Sequence, residues 1–237
     1  MLVIKSSKPK TGKTGVKATS GTGGTMPFTP ALLLAIAFAA IFFILRWRPF
    51  FRARPLIKSA MAVLLAIYCL QTDTSLWLMA LGFGLSALGD YFLDLRNEKW
   101  FLPGLVAFFA AHVAFAIYLF EHMHPLSMFT PTQWGISAVL IVLTVGFYIW
   151  LKPALPGDMK IPVAAYSAVI TIMGITALTT TLPSLLVPLG AILFIASDVV
   201  LAVEKFKFKF PLDKKINWGL YASGQILLAI GVMASLN

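Results

Sequence analysis

Windows of about 20 apolar residues, the length a helix needs to cross a hydrocarbon core, can be laid almost end to end along this chain from Phe28 onward. With 59% hydrophobic and 12% charged residues, the chain falls well outside the range of soluble domains. The expected fold is therefore all-α, a polytopic membrane protein built as a bundle of eight transmembrane helices. The spans run roughly from Phe28 to Leu45, Pro55 to Gln71, Leu76 to Leu95, Phe101 to Phe120, Trp134 to Leu151, Ile161 to Leu178, Pro183 to Val203 and Ile216 to Ser235. Short connectors such as "RWRPFFRARP" and "LKPALPGDMK" leave no room for a soluble domain. Residues 28–237 read as one transmembrane domain behind a basic tail, 1–27.

A formal charge of +10 would suit a nucleic-acid surface if it were clustered for that purpose. It is not. Beyond the tail, every Lys and Arg falls in the odd-numbered connectors or at the helix ends beside them: Arg46, Arg48, Arg52, Arg54 and Lys58, then Arg96 and Lys99, then Lys152 and Lys160, then Lys205 to Lys215. That segregation follows the positive-inside rule and places the odd connectors in the cytoplasm. The basic charge thus reads as orientation and contact with anionic lipid headgroups, not as nucleic-acid binding.

The tail carries five lysines, although the connector rule puts it on the far side of the membrane; most of them lie too far from the first helix to weigh on topology. Rich in Gly, Thr, Ser and Lys, it is expected to be disordered. Within it, "SKPKTGKT" echoes a phosphate-binding loop, but Ser7 stands in for the first glycine and no strand precedes it. The single cysteine, Cys69, cannot form an internal disulfide.

Ionisable groups at helix-centre depth cost at least a few kcal/mol, so each one marks a candidate site. Asp90 lies six residues before Arg96 and Asp198 seven before Lys205, which sets both carboxylates about 9 to 10 Å inside the same, basic, end. Tyr166 and Tyr221 share that depth, Lys58 opens the second span, and His112 and Gln225 lie deeper. Polar groups from six helices therefore converge on one layer. Blander roles exist for each: His112 and Gln225 as interhelical hydrogen-bonding groups, the tyrosines as interfacial anchors, Lys58 as a snorkelling cation, Asp94 as a solvated or Arg96-paired end residue, and Ser86 and Ser197 as helix-contact hydroxyls. His122 and His124 in "EHMH" are too few to argue for a metal. Two acids at one depth without an equally deep cationic partner most need an explanation.

Five ordered blocks give the chain a resemblance. "GLSALGDYFLDL" carries Ser86, Gly89 and Asp90; "FLPGLVAFFAAHVAFAIYLF" carries Gly104 and His112; "IPVAAYSAVI" ends its motif on Tyr166; "GAILFIASDVVLA" carries Ser197 and Asp198; "LYASGQILLAIG" carries Tyr221 and Gln225. Together they resemble the YhhN-like transmembrane lysoplasmalogenases, from about Lys58 to Ala234. The resemblance implies hydrolysis of the vinyl ether bond of a lysoplasmalogen, yielding a fatty aldehyde and a glycerophospho-ethanolamine or -choline. It implies no cofactor and no metal, and as partners a lysophospholipid substrate, water and membrane lipid.

Such a bond is cleaved by protonating its terminal alkene carbon, so the chemistry asks for a proton-bearing acid and a negative group beside the resulting cation. Asp90 and Asp198 are the candidate catalytic pair, by analogy with glycoside hydrolysis. Lys58, Ser86, His112, Tyr166, Ser197, Tyr221 and Gln225 are the candidate substrate-binding residues. The competing reading is a proton-coupled transporter of a small or lipid-like solute, though the two halves show no repeat. An aspartyl protease is disfavoured because Ala87 stands where a Gly-x-Gly-Asp motif needs glycine. The expected location is multi-pass in the endoplasmic reticulum membrane of a eukaryote or the inner membrane of a bacterium, with the site's mouth toward the cytoplasm; the sequence leaves oligomeric state open.

Overall fold

The computed structural model describes residues 29–46 and 48–236, so the expected disordered tail lies outside the described residues. The described residues form eight α-helices: α1 (Pro30–Leu45), α2 (Arg54–Thr72), α3 (Trp77–Asp94), α4 (Phe101–Glu121), α5 (Pro131–Leu151), α6 (Lys160–Leu178), α7 (Leu186–Phe206) and α8 (Asp213–Ala234). Several starts are written in the local sequence. Thr29 caps α1 through its Oγ1 ahead of Pro30, and Thr130 with Gln133 forms a reciprocal capping box ahead of Pro131 in α5.

Among the described residues the expected eight crossings become seven. Helices α2 to α8 are long and apolar enough to cross a membrane, whereas α1 has 16 described residues. At 1.5 Å per residue that is about 24 Å, short of a hydrocarbon core of about 30 Å. The polytopic all-α class stands. Two other boundaries move: α7 starts three residues beyond Pro183 and runs on to Phe206, and α8 starts at Asp213. The latter follows from a turn in which Leu212 takes φ +64° and the Asp213 carboxylate accepts from the backbone N–H groups of Phe210 and Lys214.

Six helices close a ring in the order α2, α3, α4, α6, α7, α8 and back to α2, while α1 packs outside α2 and α8 and α5 packs outside α6. The tightest seam is α7 against α8. A Cβ on Gly190 would sit 2.6 Å from the backbone nitrogen of Leu228, and one on Gly224 would sit 2.8 Å from that of Phe194. Only glycine lets the two backbones touch there. Helix α5 lies at the other extreme, with Ser137 and Leu151 as its only buried residues.

The connectors sort to two ends. At one, Lys205 of α7 pairs with Glu98 ahead of α4 at 3.1 Å, and Arg96 lies 4.5 Å above the ring of Phe50. At the other, the backbones after α4 and α6 bond to each other, Thr181 N–H to His122 carbonyl at 2.6 Å. The basic connectors thus share one end of the bundle.

Candidate active site

Each ring helix sends one polar group or more toward the middle of the basic half. On α2, Arg54 and Lys58 are one turn apart; on α3, Asp94 and Asp90 are one turn apart. Packed side by side in opposite directions, the helices match the pairs rung to rung, Arg54 Nη2 to Asp94 Oδ1 at 3.0 Å and Lys58 Nζ to Asp90 Oδ1 at 3.1 Å. Asp90 is only 1% exposed at its side chain and Lys58 12%.

Two sequence expectations change here. Asp90 has a cationic partner at its own depth, and Asp94 is buried against Arg54 instead of being solvated or bound to Arg96. The reason is the reach of Lys58. Expected to bind substrate or to snorkel outward, it extends its stem inward and lays its ammonium between Asp90 and the face of Trp218, 6.0 Å from the ring centroid.

Both carboxylates accept a phenolic hydrogen bond. Tyr221 of α8 donates to Asp90 Oδ2 at 2.6 Å, and Tyr166 of α6 donates to Asp198 Oδ2 at 2.8 Å. Neither tyrosine is an interfacial anchor. The two acid–tyrosine pairs are linked through rings, Tyr221 packing on Phe194, Phe194 on His112 and His112 on Tyr166. Phe194, four residues before Asp198 on α7, is the spacer: its ring lies 5.3 Å from that of Tyr221 and 4.6 Å from that of His112.

His112 on α4 is fully buried, with Nδ1 2.7 Å from the carbonyl of Phe108. A carbonyl only accepts, so Nδ1 carries the hydrogen. Nε2 then faces Asp198 Oδ2 at 3.7 Å, with no hydrogen-bond partner among the described residues.

The remaining candidates are placed less directly. Ser86 donates to the carbonyl of Gly82 and Ser197 to that of Phe194, each within its own helix, which is the behaviour of helix-contact hydroxyls. Gln225, one turn below Tyr221 on α8, is fully buried, and neither of its amide atoms has a partner among the described residues. His122 turns Nδ1 to the carbonyl of Tyr118. Sequence reasoning missed Arg54 as a buried partner and Asn217, whose Nδ2 donates to the carbonyl of Ser197 at 2.7 Å. Both were findable by helical spacing: each lies four residues before a chosen residue, Lys58 and Tyr221.

Beside Asp198 opens a cavity of about 330 Å³ between α4, α5, α6 and α7. Its polar edge is Asp198, Tyr166, Ser167 and Thr144; Phe101, Leu105, Leu143, Phe147, Ala202 and Phe206 belong to its apolar wall. Asp90 is not in that wall. The site therefore has a charged side, toward α2 and α3, and an apolar side, beneath α5. Such an arrangement suits an amphipathic molecule with its reactive bond between the two.

No solved structure matches the chain. Among curated proteins, it is 28% identical to lysoplasmalogenase TMEM86A of Bos taurus over 87% of this chain and 90% of the relative. It is 32% identical to a lysoplasmalogenase of Mycobacterium bovis over 75% of this chain and 69% of the relative, and 29% identical to lysoplasmalogenase TMEM86B of Rattus norvegicus over 67% and 63%. The YhhN family model matches residues 53–232, a stretch that starts just ahead of Arg54 and takes in the six ring helices, save the last two residues of α8, with both carboxylates. By that match, the chain belongs to the YhhN family.

Proposed function

We propose that this protein is a lysoplasmalogenase, hydrolysing the vinyl ether of a 1-alkenyl-glycerophosphoethanolamine or -choline with Asp90 and Asp198 as its acid–base pair. The activity is supported by relatives that carry that name over most of their length. The observation that carries the two-acid reading is the pair of carboxylates on α3 and α7, Asp90 buried and Asp198 part-buried at the edge of an apolar cavity, each bonded by its own tyrosine.

The reacting bond joins an alkenyl chain to glycerol, so the chain occupies the cavity beneath α5 and the glycerol points toward α2 and α3. One acid protonates the alkene carbon. The other stabilises the oxocarbenium ion and takes a proton from the attacking water, help that is typically worth about 10² to 10⁴ in rate. His112 and Gln225, buried with polar atoms unpartnered among the described residues, position water and glycerol hydroxyl, and the headgroup phosphate approaches from the basic end. The chemistry needs no metal and no organic cofactor. The mouth opens toward the basic, cytoplasmic end.

Purified protein is incubated with lysoplasmalogen and, separately, with the matched ester lysophospholipid, and both aldehyde and fatty acid are assayed. Aldehyde from the first alone is the expected result. Fatty acid from the second would replace this reading with an esterase, and no product from either would remove the enzymatic reading.

A further inference from the structure

The two carboxylates have different surroundings, and the difference bears on which does what. Asp90 is held by an ammonium, Lys58 Nζ at 3.1 Å, and by the Tyr221 hydroxyl at 2.6 Å. Both donate, and both favour the ionised carboxylate. Asp198 also accepts from a tyrosine, Tyr166 at 2.8 Å, but it has no Lys or Arg within ion-pair distance among the described residues. It faces His112 Nε2 instead, at 3.7 Å. Because Nδ1 of that ring donates to Phe108, Nε2 of a neutral imidazole is a lone pair. A lone pair set against a carboxylate oxygen in a buried site is repulsive unless one proton lies on one or the other. The Asp198–His112 pair is thus a place for a proton, and the Asp90–Lys58 pair a place for a charge.

Position agrees. The alkene carbon that must be protonated lies on the chain side of the ether oxygen, and Asp198 is the carboxylate that lines the apolar cavity. The cationic carbon that follows lies one bond nearer the glycerol, toward Asp90.

Resting on the two-acid reading, we propose that Lys58 is a positioning residue that holds Asp90 ionised and so assigns the roles, Asp198 as general acid and Asp90 as base.

The cycle closes in protons and electrons. The alkene π pair takes the proton of Asp198, forming a C–H bond and an oxocarbenium ion, and leaves Asp198 as carboxylate. Water adds to the cationic carbon while Asp90 takes its proton, giving a hemiacetal. Asp198 then removes the hemiacetal hydroxyl proton, the carbon–oxygen bond to glycerol breaks, and the departing oxygen takes the proton from Asp90. Aldehyde and glycerophospho-alcohol leave, with Asp198 again protonated and Asp90 again charged.

The test is steady-state kinetics of Lys58→Met, Lys58→Gln and Lys58→Arg on lysoplasmalogen, with folding followed by thermal unfolding in detergent. Lys58→Gln keeps a hydrogen-bond donor to Asp90 without the charge, and serves if Lys58→Met does not fold. Both neutral variants are expected to lose about 100-fold or more in kcat with KM within about threefold, and Lys58→Arg to recover activity to within about tenfold of wild type. A KM raised tenfold or more with kcat preserved would make Lys58 a headgroup ligand and overturn the proposal. So would a Lys58→Gln enzyme with near wild-type kcat. The two-acid reading fails by a different result, activity retained in Asp90→Asn or Asp198→Asn.

Discussion

The Tyr221 hydroxyl donates to Asp90 Oδ2 at 2.6 Å, joining the last helix of the chain to the third across 131 residues. This bond, with the Lys58–Asp90 pair, ties α8, α3 and α2 together around one carboxylate, and the Tyr166–Asp198 bond does the same for α6 and α7.

The acid pair is tested by shape-preserving substitution. Asp90→Asn and Asp198→Asn are each expected to lower kcat for aldehyde release from lysoplasmalogen by about 10² or more, with the protein still monodisperse in detergent. Near wild-type turnover in either would show that the carboxylate at that position does no acid–base work.

Removing only the phenolic hydroxyls is a gentler perturbation. A hydrogen bond to a charged group contributes about 1.5–3 kcal/mol, so Tyr221→Phe is expected to cost about 10- to 100-fold in kcat, and Tyr166→Phe less if its acceptor is the protonated acid. Kinetics on both variants, with KM within about threefold, checks the order.

The cavity beneath α5 predicts chain-length selectivity. Ala202 lies in its wall, and Ala202→Phe fills part of it. At about 0.8 kcal/mol per buried methylene, displacing two or three methylenes raises KM for long alkenyl chains by about 10- to 50-fold and leaves short chains near wild type. Measuring KM across a chain-length series decides whether the alkenyl group lies there.

The Arg54–Asp94 rung is a stability element. Arg54→Met leaves the Asp94 carboxylate buried and unpaired, at a cost of about 3–5 kcal/mol, whereas Arg54→Met with Asp94→Leu removes both charges and recovers most of it. Thermal unfolding of the single and double variants in detergent reads the difference. Equal loss in both would mean that the rung is not the relevant contact.

The seam between α7 and α8 predicts a steric loss. In Gly224→Val the new side chain meets the backbone of Phe194, which must shift, and overpacking of this kind typically costs about 1–3 kcal/mol. The expected result is a lower unfolding temperature together with lower activity, because Asp198 on α7 and Tyr221 on α8 separate.

Much of the architecture was written in the sequence. Hydrocarbon thickness imposes a length, and the chain answers it seven times; only α1 falls short, because its described helix starts at Pro30 and ends at Leu45. The two carboxylates were legible for the same reason, since an acid in hydrocarbon is costly, and counting back from Arg96 and Lys205 gave both one depth. The tyrosines, His112 and Gln225 followed from the same ruler.

That ruler measures height along a helix, not rotation about it or the identity of the neighbour. Hence the sequence could set Lys58 near the interface but not turn its ammonium inward to Asp90, or match Arg54 with Asp94 in place of Arg96. The closing of α8 onto α2, the placing of α1 and α5 outside the ring, and the apolar space beside Asp198 arise from contacts between distant segments. Solvent cost along the chain decided which residues are in the membrane and how deep. Side-chain packing across the ring decided which of them meet, because that depends on rotations that no linear spacing records.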